Sequence, residues 1–462
     1  MNLPMPRGRQ ADVIYFPGHG HQVVLGTAGT GKTTMAMLRA IHLADPRTAN
    51  HGEVLLVTYN NTLVTYLKWL QPEASKNITI ETYALFARGY LNSRDLMPRR
   101  HGIVDGRDYE SLVEAAVKEV AEGQERRFFQ RGTDFFADEL EWISGMGIHS
   151  LAEYKKVDRI GRKTGLTETQ REDVWDIRTE YLEQRESANY LYDWSDIAST
   201  VRAQLARDKS LRRYKHVIID EGQDLSPEAV RSLVGACDPR GSVSFFGDYH
   251  QMIYGEGLSW RACGLNVQAV ERFADNYRNT TEIARLAIAV SEMPHMAGDT
   301  DDLVVPKQPV AAGPLPTLAV CVNEAREIAV VRRQARDLAR NGTVAILART
   351  WDDARRVCAG LNARRLHKNL ARWDVEPGIY YGCYHSAKGL EFDAVILPFC
   401  GDEHMPAAEK IEAFGRAGAM SREGKLLYVA ITRARTDLLI TYSGEITPLL
   451  PEDDRLYAKV SA

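Results

Sequence analysis

The chain has 462 residues, 44% hydrophobic and 26% charged, enough apolar material for several buried cores and too much for a disordered chain. Lys and Arg total 58 against 62 Asp and Glu, a formal net charge of −4 that excludes a globally basic nucleic-acid coat but not a local basic track. The six cysteines (Cys237, Cys263, Cys321, Cys358, Cys383 and Cys400) show no CxxC spacing and no clustering with paired histidines, which argues against structural zinc and a disulfide scaffold and suits a reducing cytoplasm. MNLPMPRGRQADVIYF at the start lacks the apolar run of a signal peptide, and no stretch approaches the ~18 apolar residues of a membrane helix. The expectation is a soluble, cytoplasmic protein with no membrane partner.

In chain order, QVVLG at 22–26 predicts a buried strand that runs into a glycine loop and then a helix from Thr33 to Ala44. EVLLVTY at 53–59, KHVIID at 215–220 and SVSFFGD at 242–248 predict three more strands. Their near lack of charge suits parallel strands covered on both faces. The region 91–194 reads differently: Leu112, Ala116 and Val120, then Val174, Ile177 and Tyr181, recur at helical spacing, which predicts a helical insertion. Strand patterns return at TLAVCV (317–322), TVAILAR (343–349), AVILPF (394–399) and DLLITYS (437–443), as a second α/β domain needs. Residues 292–316, rich in Pro, Gly and Ala, are a boundary candidate. The expected division is a first domain over 1–90 and 195–290, the insertion over 91–194, and a second domain over 291–462.

GTAGTGKTT at 26–34 fits G-x-x-x-x-G-K-[ST] in the required strand–loop–helix context. Gly26, Thr27, Ala28, Gly29, Thr30 and Gly31 would wrap backbone N–H groups around phosphates. Lys32 would supply a point charge to the β/γ-phosphates, and Thr33, with Thr34 beside it, a hydroxyl to Mg²⁺. VIIDEGQD at 217–224 sets acids at a strand end, where Asp220 is placed to hold Mg²⁺ and Glu221 to act as general base on the attacking water.

These two motifs resemble motifs I and II of superfamily 1 helicases of the UvrD/Rep type. The remaining motifs follow in order: VTYNNT (57–62), GDYHQMIYG (247–255), DNYRNT (275–280), HSAKGLEF (385–392) and YVAITRAR (428–435) resemble motifs Ia, III, IV, V and VI. The resemblance implies an α/β fold of two RecA-like parallel-sheet motor domains, a P-loop NTPase with a helical insertion (1B) in the first (1A), and ATP bound between them. It implies that Gln251 senses the γ-phosphate, that Arg278 and Arg433 stabilise its charge as arginine fingers do, that Tyr277 stacks on adenine, and that Glu391 lies near the nucleotide sugar. Gln10, 22 residues before Lys32, stands near where the family keeps an adenine-reading glutamine, although a plain exposed glutamine fits as well.

For DNA, the same resemblance points to Tyr59, Asn61, Thr82, Tyr254, His385 and Lys388, aromatics for base stacking and polar groups for backbone phosphates. Trp260 arrives after the extra stretch GEGLS, so base stacking and ordinary core packing both stay open for it. The acids of DWSDI (193–197) read as structural caps, and ARRLHKNLAR (363–372) as a solvated face.

Only 35 residues (350–384) separate Arg349 from His385, where the family inserts its large 2B subdomain. A domain needs roughly 50 residues, so 2B is expected to be absent or vestigial. The reading is an ATP- and Mg²⁺-dependent 3′→5′ single-stranded DNA translocase or helicase, cytoplasmic and nucleoid-associated when active, working with a protein partner. The alternative is an ATP-switched subunit that senses DNA or nucleotide and licenses a partner such as a nuclease, as in phage defence.

Overall fold

The protein is described from a computed structural model, over residues 5–6, 8–27, 29–58, 64–65, 67–68, 77–97, 102–159, 162, 164–248, 260–273, 279–296, 311–366 and 377–462. It has two parallel sheets and a helical lobe. The first sheet takes the order β3-β2-β6-β7-β1-β8, where β1 is Gly20–Gly26, β2 Val54–Thr58, β3 Ile78–Thr82, β6 Tyr214–Ile219, β7 Cys237–Gly247 and β8 Val267–Phe273. Every pairing in it is parallel. Side chains alternate across the strands and so feed two cores. Val24, Leu56, Ile218 and Phe246 meet Met35, Met37, Ala40 and Leu43 of α2 (Lys32–Ala44). Val23, Leu25, Val57 and Ile219 meet α3 (Tyr83–Asn92), α8 (Ile197–Arg207) and α9 (Pro227–Ala236) on the other face. Helices on both faces are what all-parallel strands require.

The second sheet runs β11-β12-β10-β13-β14-β9-β15, with β9 Thr317–Cys321, β10 Thr343–Ala348, β11 Ala363–Arg365, β12 Gly378–Cys383, β13 Phe392–Leu397, β14 Ala434–Ser443 and β15 Ala458–Ser461. It too is parallel throughout. Helices α11 (Glu324–Leu338) and α12 (Trp351–Cys358) cover one face. Helices α10 (Thr281–Ser291) and α13 (Ala408–Ile431) cover the other.

One boundary differs from the sequence expectation. Ile283, Leu286 and Val290 of α10 pack into the second core, not the first. Asn279 Nδ2 already donates to Thr432 O at 3.2 Å, and Thr280 N to Arg435 O at 3.1 Å. The chain has therefore crossed to the second domain by residue 279, because the apolar face of α10 is buried only there.

Between α3 and α8 lie α4 (Gly106–Ala121), α5 (Thr133–Met146), α6 (Leu151–Lys156) and α7 (Glu168–Ser187), with a two-stranded ladder of β4 (Ile103–Val104) and β5 (Tyr192–Asp193) at the base. They share a core of their own that includes Val113, Phe136, Ile143, Tyr154, Val174, Ile177 and Tyr181. DWSDI closes this lobe: Asp193 accepts from the Ser195 and Asp196 N–H groups, Tyr181 OH and Arg185 Nη1, as a capping and bracing acid does. All six cysteines are free and buried. Among the described residues, no helix is long and apolar enough to cross a membrane.

Candidate active site

Three strands of the first sheet end side by side, with β7 between β6 and β1. At such carboxyl ends a doubly wound sheet binds its ligand. β1 delivers the phosphate loop, β6 delivers Asp220 and Glu221, and β7 delivers Asp248.

The loop is built around glycine. Gly31, the N-cap of α2, has φ 81°, a left-handed conformation that side chains rarely adopt. Lys32 is buried and donates from Nζ to Gly26 O at 2.8 Å and Thr27 O at 2.9 Å, with Asp248 Oδ2 at 3.5 Å. Thr30 Oγ1 donates to Thr27 O at 3.0 Å. Gln10, from α1 (Gln10–Ile14), is buried and donates from Nε2 to Thr30 O at 2.9 Å. The structure thus sets Gln10 on the loop. Gly29, Thr33 and Thr34 continue the loop into α2, while Ala28 lies outside the described residues.

Asp220 is fully buried, and neither carboxylate oxygen makes a well-formed hydrogen bond. Burial and the Glu221 charge push its carboxyl up to about 7, against the pull of the Thr33 hydroxyl and Lys32. A buried acid short of donors beside a P-loop threonine fits a divalent cation, whose charge would replace the missing donors. Thr33 and Asp220 would hold Mg²⁺, which supplies charge neutralisation to the phosphates.

Glu221 stands at φ 52°, an uncommon conformation for a non-glycine residue and one found at functional sites. Burial works against its charge, yet Lys32, Lys388, the Gln223 amide and Arg433 together hold its carboxyl below the ordinary glutamate value. Two of those groups come from the second domain. Arg433 is fully buried, with Nε donating to Val429 O at 3.0 Å and Nη2 to Thr432 Oγ1 at 3.1 Å. Lys388 forms a buried ion pair with Asp224 across the domain interface. Burial pushes the Asp224 carboxyl up to about 7, with Lys388 opposing.

Two site residues are visible only in the structure. Gln223 donates from Nε2 to Glu221 Oε2 at 2.6 Å, and its Oε1 accepts from Asp248 N at 2.9 Å. It therefore ties the general-base candidate to the end of β7. Asp224 anchors Lys388. The 3₁₀ turn Gly222–Asp224 folds Gln223 back over Glu221.

The comparisons agree with this geometry. A family model described as the UvrD/REP helicase N-terminal domain matches residues 8–267, more than half the chain, and one described as the UvrD-like helicase C-terminal domain matches 374–445. The chain belongs to the UvrD/REP helicase family. It is accordingly an ATP-dependent DNA helicase by family, with two RecA-like domains. The ATP-dependent DNA helicase UvrD2 of Mycobacterium tuberculosis is 23% identical over 562 residues, spanning 95% of this chain and 79% of its own. UvrD1 of Mycobacterium bovis is 25% identical over 300 residues, 60% of this chain and 36% of its own. A probable DNA helicase II homolog of Rickettsia conorii is 42% identical over 59 residues, 13% of this chain and 9% of its own. A solved C-terminal domain of a possible DNA helicase from Lactobacillus plantarum, 21% identical, covers 39% of this chain and 97% of its own at a TM-score of 0.29, too distant to argue from.

For this UvrD/REP-type chain the structure places the DNA candidates unevenly. Thr82 is buried and is the N-cap of α3, where its hydroxyl accepts from Leu85 N at 3.3 Å. Trp260 packs edge-on against Phe245, ring centroids 4.8 Å apart, beside the first core. Lys388 is committed to Asp224, because a buried ammonium needs a partner. In this conformation the three side chains serve capping, packing and pairing, and contact with DNA stays an expectation for them. His385 is half-buried, and burial, with Arg349, Lys388 and Lys410 nearby, lowers its pKa to about 4, so it is neutral near pH 7. Glu391 is exposed at the start of β13. Tyr59, Asn61, Gln251, Tyr254, Tyr277 and Arg278 lie outside the described residues.

Proposed function

We propose that this chain is an ATP- and Mg²⁺-driven motor that steps 3′→5′ along single-stranded DNA, lacks the 2B subdomain, and works with a protein partner. The observation that carries this reading is that both domains converge on one carboxylate: Glu221 is held ionised by Lys32 from its own domain and by Lys388 and Arg433 from the other. An ionised glutamate can accept a proton from the attacking water. Lys32 and Arg433, with Arg278, stabilise charge on the transferred phosphoryl group. Loss of the γ-phosphate would remove what draws the domains together, and opening would advance the protein along the strand.

The likeness of HSAKGLEF and YVAITRAR to the UvrD/Rep branch supports the polarity. The short connection between Arg349 and His385 supports the loss of 2B. The UvrD2 alignment runs over 562 residues against a chain of 462, so at least 100 positions of that relative face gaps here, as a reduced chain requires. With fewer surfaces to hold a duplex, a partner is the simplest source of the missing contacts.

ATP turnover with and without poly-dT, at two ionic strengths, tests the reading. Turnover should rise on adding DNA, and binding should weaken steeply with salt, because backbone contacts release counterions. No stimulation at low salt by DNA would overturn the motor.

A further inference from the structure

One helix carries both a contact to the helical insertion and, just beyond its end, Arg433. α13 (Ala408–Ile431) is broken at Gly415, where φ is 71° and ψ 163°, a region essentially reserved for glycine. The piece before the break docks on the insertion. Ala413 is 2% exposed within the insertion's core, and Phe414 packs beside it. Lys410 Nζ lies 2.5 Å from Asp134 of α5. Past the break, Arg422 grips Asp138 of α5 with two prongs, Nη1 to Oδ1 at 3.1 Å and Nη2 to Oδ2 at 2.8 Å. The next residue, Glu423, accepts from Arg349 Nε at 2.7 Å, a buried pair at the end of β10. Adjacent residues thus bolt the helix to the insertion and to the second sheet. From Arg422 to Thr432 it runs ten residues, about 15 Å, straight to Arg433.

We propose that this elbowed helix is a strut. The insertion, through Asp138 and Arg422, sets where Arg433 stands relative to Glu221, so Asp138 and Arg422 are positioning residues for ATP hydrolysis. Partly exposed ion pairs such as Arg422–Asp138 contribute little to folding. Their value here is geometric: the insertion belongs to the domain of Glu221, and the arginine to the other. The inference rests on Arg433 acting at the γ-phosphate.

The test is ATP turnover at saturating poly-dT for Arg422→Ala, Asp138→Ala, the double variant, Arg422→Lys and Arg433→Ala, with a melting curve for each. Coupling between linked sites is commonly fivefold or more. Arg422→Ala and Asp138→Ala should each lower kcat by about fivefold or more, with KM for ATP within about twofold; melting should be nearly unchanged in Arg422→Ala, whereas Asp138→Ala also removes an acceptor from the buried Arg162 and should melt lower. The double variant should be no worse than the worse single one, and Arg422→Lys should recover part of the loss. A kcat for Arg422→Ala within about twofold of the parent, or losses that multiply in the double variant, would overturn the strut. Arg433→Ala should lose on the order of 1000-fold. Near-normal turnover there would overturn the arginine assignment itself, whereas an inactive Arg433→Ala beside an unaffected Arg422→Ala would overturn the strut alone.

Discussion

Single residues divide the chemistry between charge and geometry. Lys32→Ala should abolish turnover, because the phosphates lose their main side-chain charge. Glu221→Gln should keep nucleotide binding and lose hydrolysis, because shape is retained and the base is not. Separate binding and turnover assays distinguish the two, and near-normal hydrolysis by Glu221→Gln would remove the general-base assignment. Gln223→Ala frees the Glu221 carboxylate from the end of β7. It should lower kcat by about tenfold, the scale usual for groups that orient a reacting one, with little change in KM. That Lys32, Thr33, Asp220 and Glu221 would converge was legible, because phosphate and metal chemistry dictates the spacing of such residues. Gln223 was not, since beside two acids it reads as one more loop residue until the 3₁₀ turn brings it back. Sequence does not reveal that Asp224 comes from the opposite domain to meet Lys388.

Secondary-structure elements carry the stability arguments. Thr82→Ala should cost about 1 kcal/mol in denaturant unfolding through loss of the α3 cap, with Thr82→Ser close to the parent. If Thr82→Ala weakened DNA binding severalfold and left stability alone, the capping role would be wrong. His216 on β6 is fully buried, with Nδ1 against Ser242 Oγ at 2.8 Å and Nε2 against Asn50 O at 2.8 Å. Burial lowers its pKa to about 4 from an unfolded value of 6.5. The unfolded chain therefore binds the proton first as pH falls. The contribution of this histidine is full above about 6.5 and is lost as pH drops towards 4. His216→Gln should flatten the melting temperature against pH in that window, and an unchanged slope would place the effect elsewhere.

The strands that sequence marked clearly, β1, β2, β6, β7, β9, β10, β13 and β14, are central or fully covered and read as apolar runs. β3 carries Thr79 and Glu81, β15 is exposed at every position, and β12 begins at Gly378 within a short connection, so none announced itself. Helix α10 fell within the range expected for the first domain, because sequence spacing does not say which core receives a helix.

At the scale of the whole molecule, two domains share one catalytic centre and the helical insertion reaches across to the second. Stepping along a strand needs only that pair of sheets. Separating base pairs also needs a grip on the fork, since stacking is worth ~1.4 kcal/mol per step. Isolated protein should therefore translocate on single strands and unwind long 3′-tailed duplexes poorly, with short duplexes as the control. Efficient long-duplex unwinding by a demonstrated monomer would remove the argument for a partner.

The most direct measurement of directional motion is displacement of streptavidin from a single-stranded oligonucleotide biotinylated at one end. A 3′→5′ motor runs into the 5′ block. ATP should therefore speed release from the 5′ end and leave the 3′ end at its spontaneous rate, and Glu221→Gln should abolish the difference. ATP-dependent release from the 3′ end alone would reverse the polarity, and no release from either end, with ATP turnover intact, would contradict the motor and leave a nucleotide switch.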